Sequence, residues 1–329
     1  MIITRTPFRV SFCGGGSDMA SFYEKHGGCV LSSAINKYMY LLIHPFFDPN
    51  TTVLKYSKTE IVHDPSEIEH RYFRAVLGEM GINGVEIASF ADIPSGTGLG
   101  SSSSFMVGLL HSICCYNGKY VSKETLASEA CRYEIEMLGL PAGKQDQYAA
   151  AYGGLNFYTF NKDGSVFVEP IVMSGDKRSE LEQNLLMFYI GDSHDSSAIL
   201  SEQRKNIADG ERESSQLKMC ELARELKAAL ERGNLAAMGE LMDENWQLKR
   251  TLASGITSPF IDEKYELALS LGATGGKLLG AGGGGFLLFY APPERQGQLT
   301  EKLGLKRLPF NFDMQGSGVV YIGDKPDTL

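Results

Sequence analysis

Six cysteines (Cys13, Cys29, Cys114, Cys115, Cys131 and Cys220) are spread over 329 residues, and no two of them form a CxxC pair. That absence removes thiol redox motifs and cysteine zinc sites. Cys114 and Cys115 sit in an apolar stretch where small hydrophobic side chains are expected, so the six read as reduced core residues. The six histidines contain no HxxxH pair, and a transition-metal site has no support. Basic residues are few and scattered: 31 Lys and Arg against 40 Asp and Glu give a formal charge of −9, no footprint for nucleic acid or an anionic membrane. Long apolar runs are missing too. The most apolar stretch, CVLSSAINKYMYLLIHPFF, carries Asn36 and Lys37 in its middle, and MIITRTPFRVSF is too short and interrupted for an export signal. The expected setting is the cytoplasm. No serine stands in GxSxG, which excludes a hydrolase nucleophile elbow, and GATGGKLL lacks the spacing and the Ser or Thr of a Walker A loop.

What is present is a chain whose pattern changes along its length. The first 60 residues hold short runs rich in β-branched and aromatic residues (ITRTPFRVSF, GCVLSSAI, KYMYLLIHPF, TTVLKYS) that predict strands. Helical spacing covers 67 to 80, and GVEIASF alternates as a strand. A helix follows the serines at 101–104 and stops at Asn117-Gly118; another starts at Ser122 as N-cap and runs to about Leu138. LNFYTF and SVFVEP predict a hairpin, LLMFYIG another strand, and 196 to 271 is helical with breaks at 209–210, 233–234 and 255–259. The end is mixed: GFLLFYAPP, a helix over 294–303, then GSGVVYIG. The expectation is an α+β protein of two intimately packed domains, residues 1–175 and 176–329, with the site in the cleft between them. Apolar positions in 196–271 suit a core or a homodimer interface equally.

Three glycine-rich stretches stand out. GAGGGG (280–285) satisfies G-x-G-x-x-G, but FLLFYA after it is a strand by composition, so the dinucleotide fingerprint does not apply. A tight turn and a close approach of backbone to a ligand remain equal readings. In PSGTGLGSSSS (94–104) one serine would serve as a helix N-cap; four cost helix propensity. Glycines that let the backbone close around a ligand, free amides at a helix N-terminus, and hydroxyls that bond an anion or Mg²⁺ together predict a phosphate-binding loop. Glu134 lies on the apolar face of the helix with Leu126 and Ala130, where a carboxylate is costly unless hydrogen-bonded or metal-bound. Glu136, four residues after Arg132, predicts a solvated ion pair. Asp146 reads as N-cap of a short helix.

PSGTGLGSSSS resembles the phosphate-binding motif of the GHMP kinases, P-x-x-x-G-L-G/S-S-S-A/S; PFRVSFCGGGSD (7–18) and GKLLGAGGGGF (276–286) match two further motifs of that family in the expected order. The resemblance implies an ATP- and Mg²⁺-dependent kinase. It places ATP phosphates on Gly96, Gly98, Leu99, Gly100, Ser101, Ser102, Ser103 and Ser104, and Mg²⁺ on Glu134 and Ser102, with Ser101 the alternative. It makes Asp146 the catalytic base, Arg9 the stabiliser of transferred charge, and Asp18 with Gly14, Gly15, Gly16 and Ser17 the sugar side, against Gly282 and Gly283. Gly14-Gly15-Gly16-Ser17-Asp18 stands where galactokinases carry Gly-Glu-His-Thr-Asp, so galactose is disfavoured. TRTPFRVSFCGGGSD looks most like the heptose 7-phosphate kinase branch and its fucokinase relatives. That implies phosphorylation of the anomeric hydroxyl of D-glycero-D-manno-heptose 7-phosphate to the 1,7-bisphosphate, in nucleotide-activated heptose synthesis. The alternatives are a kinase for a free sugar such as fucose, a silent sugar and nucleotide sensor, and a decarboxylase. Relatives often carry an arginine in the segment matching GDSHDSSAIL, where this chain has His194; it reads as a distal-phosphate contact or as an exposed residue before a helix.

Overall fold

The computed structural model describes residues 1–191, 196–208 and 212–323. His194 and the break at 209–210 lie outside the described residues. The chain runs β1 (Ile2–Cys13), α1 (Ala20–His26), β2 (Gly28–Pro45), β3 (Thr52–Lys55), β4 (Thr59–Val62), α2 (Arg71–Met80), β5 (Val85–Ala91), α3 (Ser101–Tyr116), α4 (Lys123–Cys131), α5 (Gln145–Tyr152), β6 (Leu155–Phe160) and β7 (Val166–Pro170). It continues through α6 (Gly175–Asn184), β8 (Leu185–Gly191), α7 (Ser196–Ala208), α8 (Glu213–Glu231), α9 (Ala237–Lys249), α10 (Pro259–Ser270), β9 (Gly275–Leu278), β10 (Gly285–Tyr290), α11 (Pro293–Leu303), β11 (Lys306–Leu308) and β12 (Gly318–Ile322).

Two sheets organise these elements. The larger runs β12-β1-β2-β5-β3-β4, with β6 on β2 and β7 on β6; the smaller runs β11-β8-β10-β9. The sequence pattern divides Gly28–Pro45 into two strands, whereas the structure holds one. Its first part pairs β6, from Gly28 opposite Phe160 to Ser33 opposite Leu155, and its last part pairs β5, from Met39 opposite Ala91 to Pro45 opposite Val85. The polar Asn36 and Lys37 are absorbed by a register shift against β1, where Pro7 faces Tyr38 and Phe8 faces Ile35. A bulge of this kind lets a strand carry extra residues without ending. Residues 318–322 return to the first sheet, Ile2 pairing with Ile322, so the end of the chain completes the sheet that its beginning starts.

Helices α3 and α5 cover β1 and β2, forming the first core with Phe8, Val10, Leu41 and Met106 fully buried. The second core gathers Phe188, Trp246, Tyr265 and Phe289 between the small sheet and α9 and α10. Helix α8 packs on β1, β2 and α9 and joins the two halves. Ser122 caps α4 as expected, accepting from Thr125 N at 3.0 Å. Beyond Cys131 the helix widens into a π turn over Arg132–Met137. That wide turn takes Glu136 out of the four-residue spacing, and Arg132 bonds Glu79 and Glu129 instead. No described helix is long and apolar enough to cross a membrane.

Candidate active site

A cavity of about 260 Å³ opens between the halves, walled by the 96–103 loop and helix start, the 15–18 turn, the 140–146 segment and the 280–284 turn. The wall at the start of α3 is built by local chemistry. Gly100, not a serine, caps α3, with φ of 75°, and the first intrahelical bond runs from Ser104 N to Gly100 O at 3.0 Å. The amides of Ser101, Ser102 and Ser103 therefore precede the helix ladder at the cavity wall, the positive end of the helix dipole. Gly98 and Gly280 meet face to face: a Cβ on either would collide with backbone of the other's strand or loop. This contact brings the 96–100 loop of the first half against the glycine turn of the second; the close approach at Gly280 is to protein backbone, where the sequence reading offered a tight turn or a ligand.

The four serines have different jobs. Ser102 is exposed on the cavity wall. Ser103 Oγ donates to Glu134 Oε2 at 2.8 Å. Ser104 Oγ donates to the Pro7 carbonyl at 2.8 Å and its amide is used by the helix, so Ser104 offers nothing to a phosphate. Leu99 is buried, and its carbonyl accepts from Arg9 N at 3.0 Å.

Glu134 is 2% exposed and sits in the π turn facing the cavity. It accepts from Tyr72 Oη at 3.0 Å, Ser103 Oγ at 2.8 Å and Gln147 Nε2 at 2.5 Å. Burial pushes its carboxyl up to about 7, against the pull of those three donors. Among the described residues no group of three His, Cys, Asp or Glu could hold a metal ion. Magnesium does not need one: it binds through one or two carboxylates, hydroxyls and the phosphates of its nucleotide. One carboxylate beside the Ser102 hydroxyl at a helix N-terminus fits that habit.

Arg9 and Asp146 meet against the same loop, Asp146 Oδ2 lying 3.2 Å from the place a Cβ on Gly100 would take. Arg9 Nε and Nη2 bond Asp146 Oδ1 and Oδ2, each at 2.7 Å, while Nη1 donates to Gly98 O at 2.6 Å. Lys144 occupies the cap of α5, and Asp146 is its second residue with the carboxylate turned to the cavity, so the N-cap reading of Asp146 is corrected. Asp18 Oδ1 accepts from Gly16 N and Oδ2 from Gln145 N, at 3.0 and 3.1 Å. Burial, and then the charge of Asp146, raise its pKa despite these amides. Gly15 and Gly16 line the cavity. Gly14 and Ser17 do not serve a ligand directly: Gly14 N donates to Asn245 Oδ1, and Ser17 Oγ is spent on Cys29 N and O. Gly282 lines the cavity, whereas Gly283 N is bonded to Ile256 O.

The sequence reading misses Tyr72 and Gln147 around Glu134, and Gln203 and Lys249 in the cavity wall. Lys249 left a trace, standing one turn after Asn245 on an otherwise apolar helix face.

A helix N-terminus behind a glycine loop, a buried carboxylate at that terminus, and an arginine-clamped aspartate held against the loop define a nucleotide-dependent phosphotransferase site. The sequence matches the GHMP kinases N terminal domain over residues 67–154 and the GHMP kinases C terminal domain over 226–307. The chain belongs to the GHMP kinases, a family that uses ATP, and it is a sugar kinase. It is 26% identical to the D-glycero-alpha-D-manno-heptose 7-phosphate kinase of Campylobacter jejuni, over 96% of this chain and 97% of that one. It is 28% identical to the bifunctional fucokinase/GDP-fucose pyrophosphorylase of Arabidopsis thaliana, over 90% of this chain and 30% of that one. Among solved structures, a D-glycero-D-manno-heptose 1-phosphate kinase from Bacteroides thetaiotaomicron shares the fold with a TM-score of 0.80 at 24% identity, covering 98% of this chain and 100% of that one.

Proposed function

We propose that this chain transfers the γ-phosphoryl group of ATP to the anomeric hydroxyl of D-glycero-D-manno-heptose 7-phosphate, giving the 1,7-bisphosphate. The observation that carries the chemistry is the clamped Arg9–Asp146 pair facing the 98–103 loop. The substrate rests on the likeness to the heptose 7-phosphate kinase along nearly the whole of both chains. Gly15 supports it: it lines the cavity, and the nearest atom to the place of a Cβ there is Ser11 Oγ at 4.0 Å, where galactokinases carry the glutamate of their Glu-His pair.

ATP phosphates lie on the amides of Ser101 to Ser103 and the glycines 96, 98 and 100. Glu134 and the Ser102 hydroxyl would hold Mg²⁺, which when bound neutralises charge on those phosphates. Ser103, Tyr72 and Gln147 orient the Glu134 carboxylate. Asp146 accepts the proton of the sugar hydroxyl; Arg9 fixes its two oxygens in place and sets positive charge beside the point of transfer. Asp18, braced by Gly16 and Gln145 amides, turns toward the sugar hydroxyls. Residues 1–175 then carry the nucleotide loop together with Arg9, Asp18 and Asp146, and 176–329 close the cavity with Gln203, Lys249 and the 280–284 turn, with ATP and a sugar phosphate as partners and the cytoplasm as the setting.

The test is ADP release in a coupled assay with MgATP, offering D-glycero-D-manno-heptose 7-phosphate beside heptose, fucose, galactose and mannose. Turnover with the 7-phosphate alone supports the reading. Turnover with a free sugar overturns the substrate and favours the fucokinase alternative that the Arabidopsis relative suggests.

A further inference from the structure

Among the described residues two lysines are buried, and the reaction above uses neither. Lys277, on β9, donates to Ser11 Oγ at 3.3 Å and Phe12 O at 3.2 Å, and ties β9 to β1. Lys249 differs. It is the last residue of α9, 5% exposed, and it stands in the cavity wall, where its ammonium donates to the Gly280 carbonyl. One helical turn earlier Asn245 Oδ1 accepts from Gly14 N at 3.0 Å. The same face of α9 thus grips the acceptor-side glycine turn and sends a cation into the cavity. Gly280 packs on Gly98, so Lys249 arrives where the phosphate loop and the glycine turn meet.

Every charge near Lys249 is engaged elsewhere. Asp146 is bonded to Arg9, and Asp18 to the amides of Gly16 and Gln145. Arg9 spends three of its five donors on Asp146 and Gly98. Lys277, behind Ser11 of the cavity wall, has its own two acceptors. Lys249 forms no ion pair with a described residue, and two of its three donors are left over. Burial, reinforced by Lys277 and Arg9, pulls its pKa well below the usual lysine range. A buried ammonium without a counter-ion is costly, and an entering anion relieves that cost.

The geometry points to Lys249 as the cation that receives a phosphate group inside this cavity. This rests on the kinase reading above, under which two phosphates enter: the transferring group of the nucleotide and the phosphate of the sugar. Both present the same oxygens to an ammonium, and kinetics separate them.

The experiment assays K249M and K249R beside wild type with MgATP and D-glycero-D-manno-heptose 7-phosphate, with thermal unfolding as a check. In K249M, a tenfold or larger fall in kcat at unchanged sugar KM assigns Lys249 to the transferring phosphoryl group. A tenfold or larger rise in sugar KM at unchanged kcat assigns it to the sugar's own phosphate. Either supports the proposal, as does partial recovery in K249R, which restores charge without the original shape. Unchanged kcat and KM in K249M overturn it. Calorimetric titration of both proteins with inorganic phosphate keeps the two readings apart. If wild type turns over no sugar, the proposed substrate falls, while a tenfold weaker phosphate affinity in K249M still supports Lys249; equal affinity overturns it.

Discussion

Arg9 and Asp146 stand 137 residues apart and close a two-point ion pair, both nitrogen–oxygen distances 2.7 Å, with the third arginine donor on the Gly98 carbonyl. One guanidinium thereby ties the Asp146 carboxylate to the loop that precedes α3. A planar fork is required; an ammonium could not hold both carboxylate oxygens and the carbonyl in that plane.

Replacing Asp146 by Asn removes the proton acceptor and keeps the shape. Turnover should fall by about 10²–10⁴-fold, with the affinity for MgATP nearly unchanged in a calorimetric titration. Wild-type turnover in this variant would reject Asp146 as base.

The serine run should separate into distinct phenotypes. S104A leaves the buried Pro7 carbonyl without its donor, and should lose about 1–3 kcal/mol of stability in urea denaturation while keeping its kcat. S102A should raise the Mg²⁺ concentration needed for half-maximal activity. E134Q should lower turnover by on the order of a hundredfold at any Mg²⁺ concentration.

Gly98 has φ of 82°, and a Cβ there would lie 2.7 Å from the Leu279 carbonyl oxygen. G98A must part the loop from the 280–284 turn, and should lower kcat/KM at least about tenfold with a stability loss of about 1–3 kcal/mol. Gly78 is the control. It is exposed within α2 with nothing near its Cβ position, and G78A should gain about 0.5–1 kcal/mol with activity intact.

Burial lowers the Lys277 pKa to about 8, from 10.5 in the open chain. Between these values the unfolded chain holds a proton that the folded one has released, so this residue makes stability rise with pH across that window and contributes no slope below it. K277M lacks the effect. From pH 7 to pH 10.5, wild type should gain about 3 kcal/mol on K277M in urea denaturation; a constant difference would show that Lys277 keeps its proton when folded.

Much of the site was written in local sequence. The glycines 96, 98 and 100 before an apolar helix marked a loop at an open helix start, and the inward position of Glu134 marked a carboxylate in need of partners. Both depend on helix capping and on which face of a helix is apolar, interactions that span a turn or two. The hairpin of β6 and β7 and the long helical stretch from 196 were legible for the same reason. The strand Gly28–Pro45 was less so, because the bulge that carries Asn36 and Lys37 through it is imposed by β1 across the sheet.

What the sequence by itself determined, then, was the inventory: a glycine loop at a helix start, a buried carboxylate, an arginine and two aspartates, on an α+β chain. The tertiary structure alone decided who meets whom. Ser103 faces Glu134 because the helix widens into a π turn after Cys131. Ser104 is absorbed by Pro7 because α3 packs on β1. Arg9 finds Asp146 because α5 packs on β1, and Lys249 enters the cavity because the 280–284 turn docks on the Gly98 loop through bare glycine backbone. Pairings across more than a hundred residues are set by strand register and close packing, which no local spacing encodes.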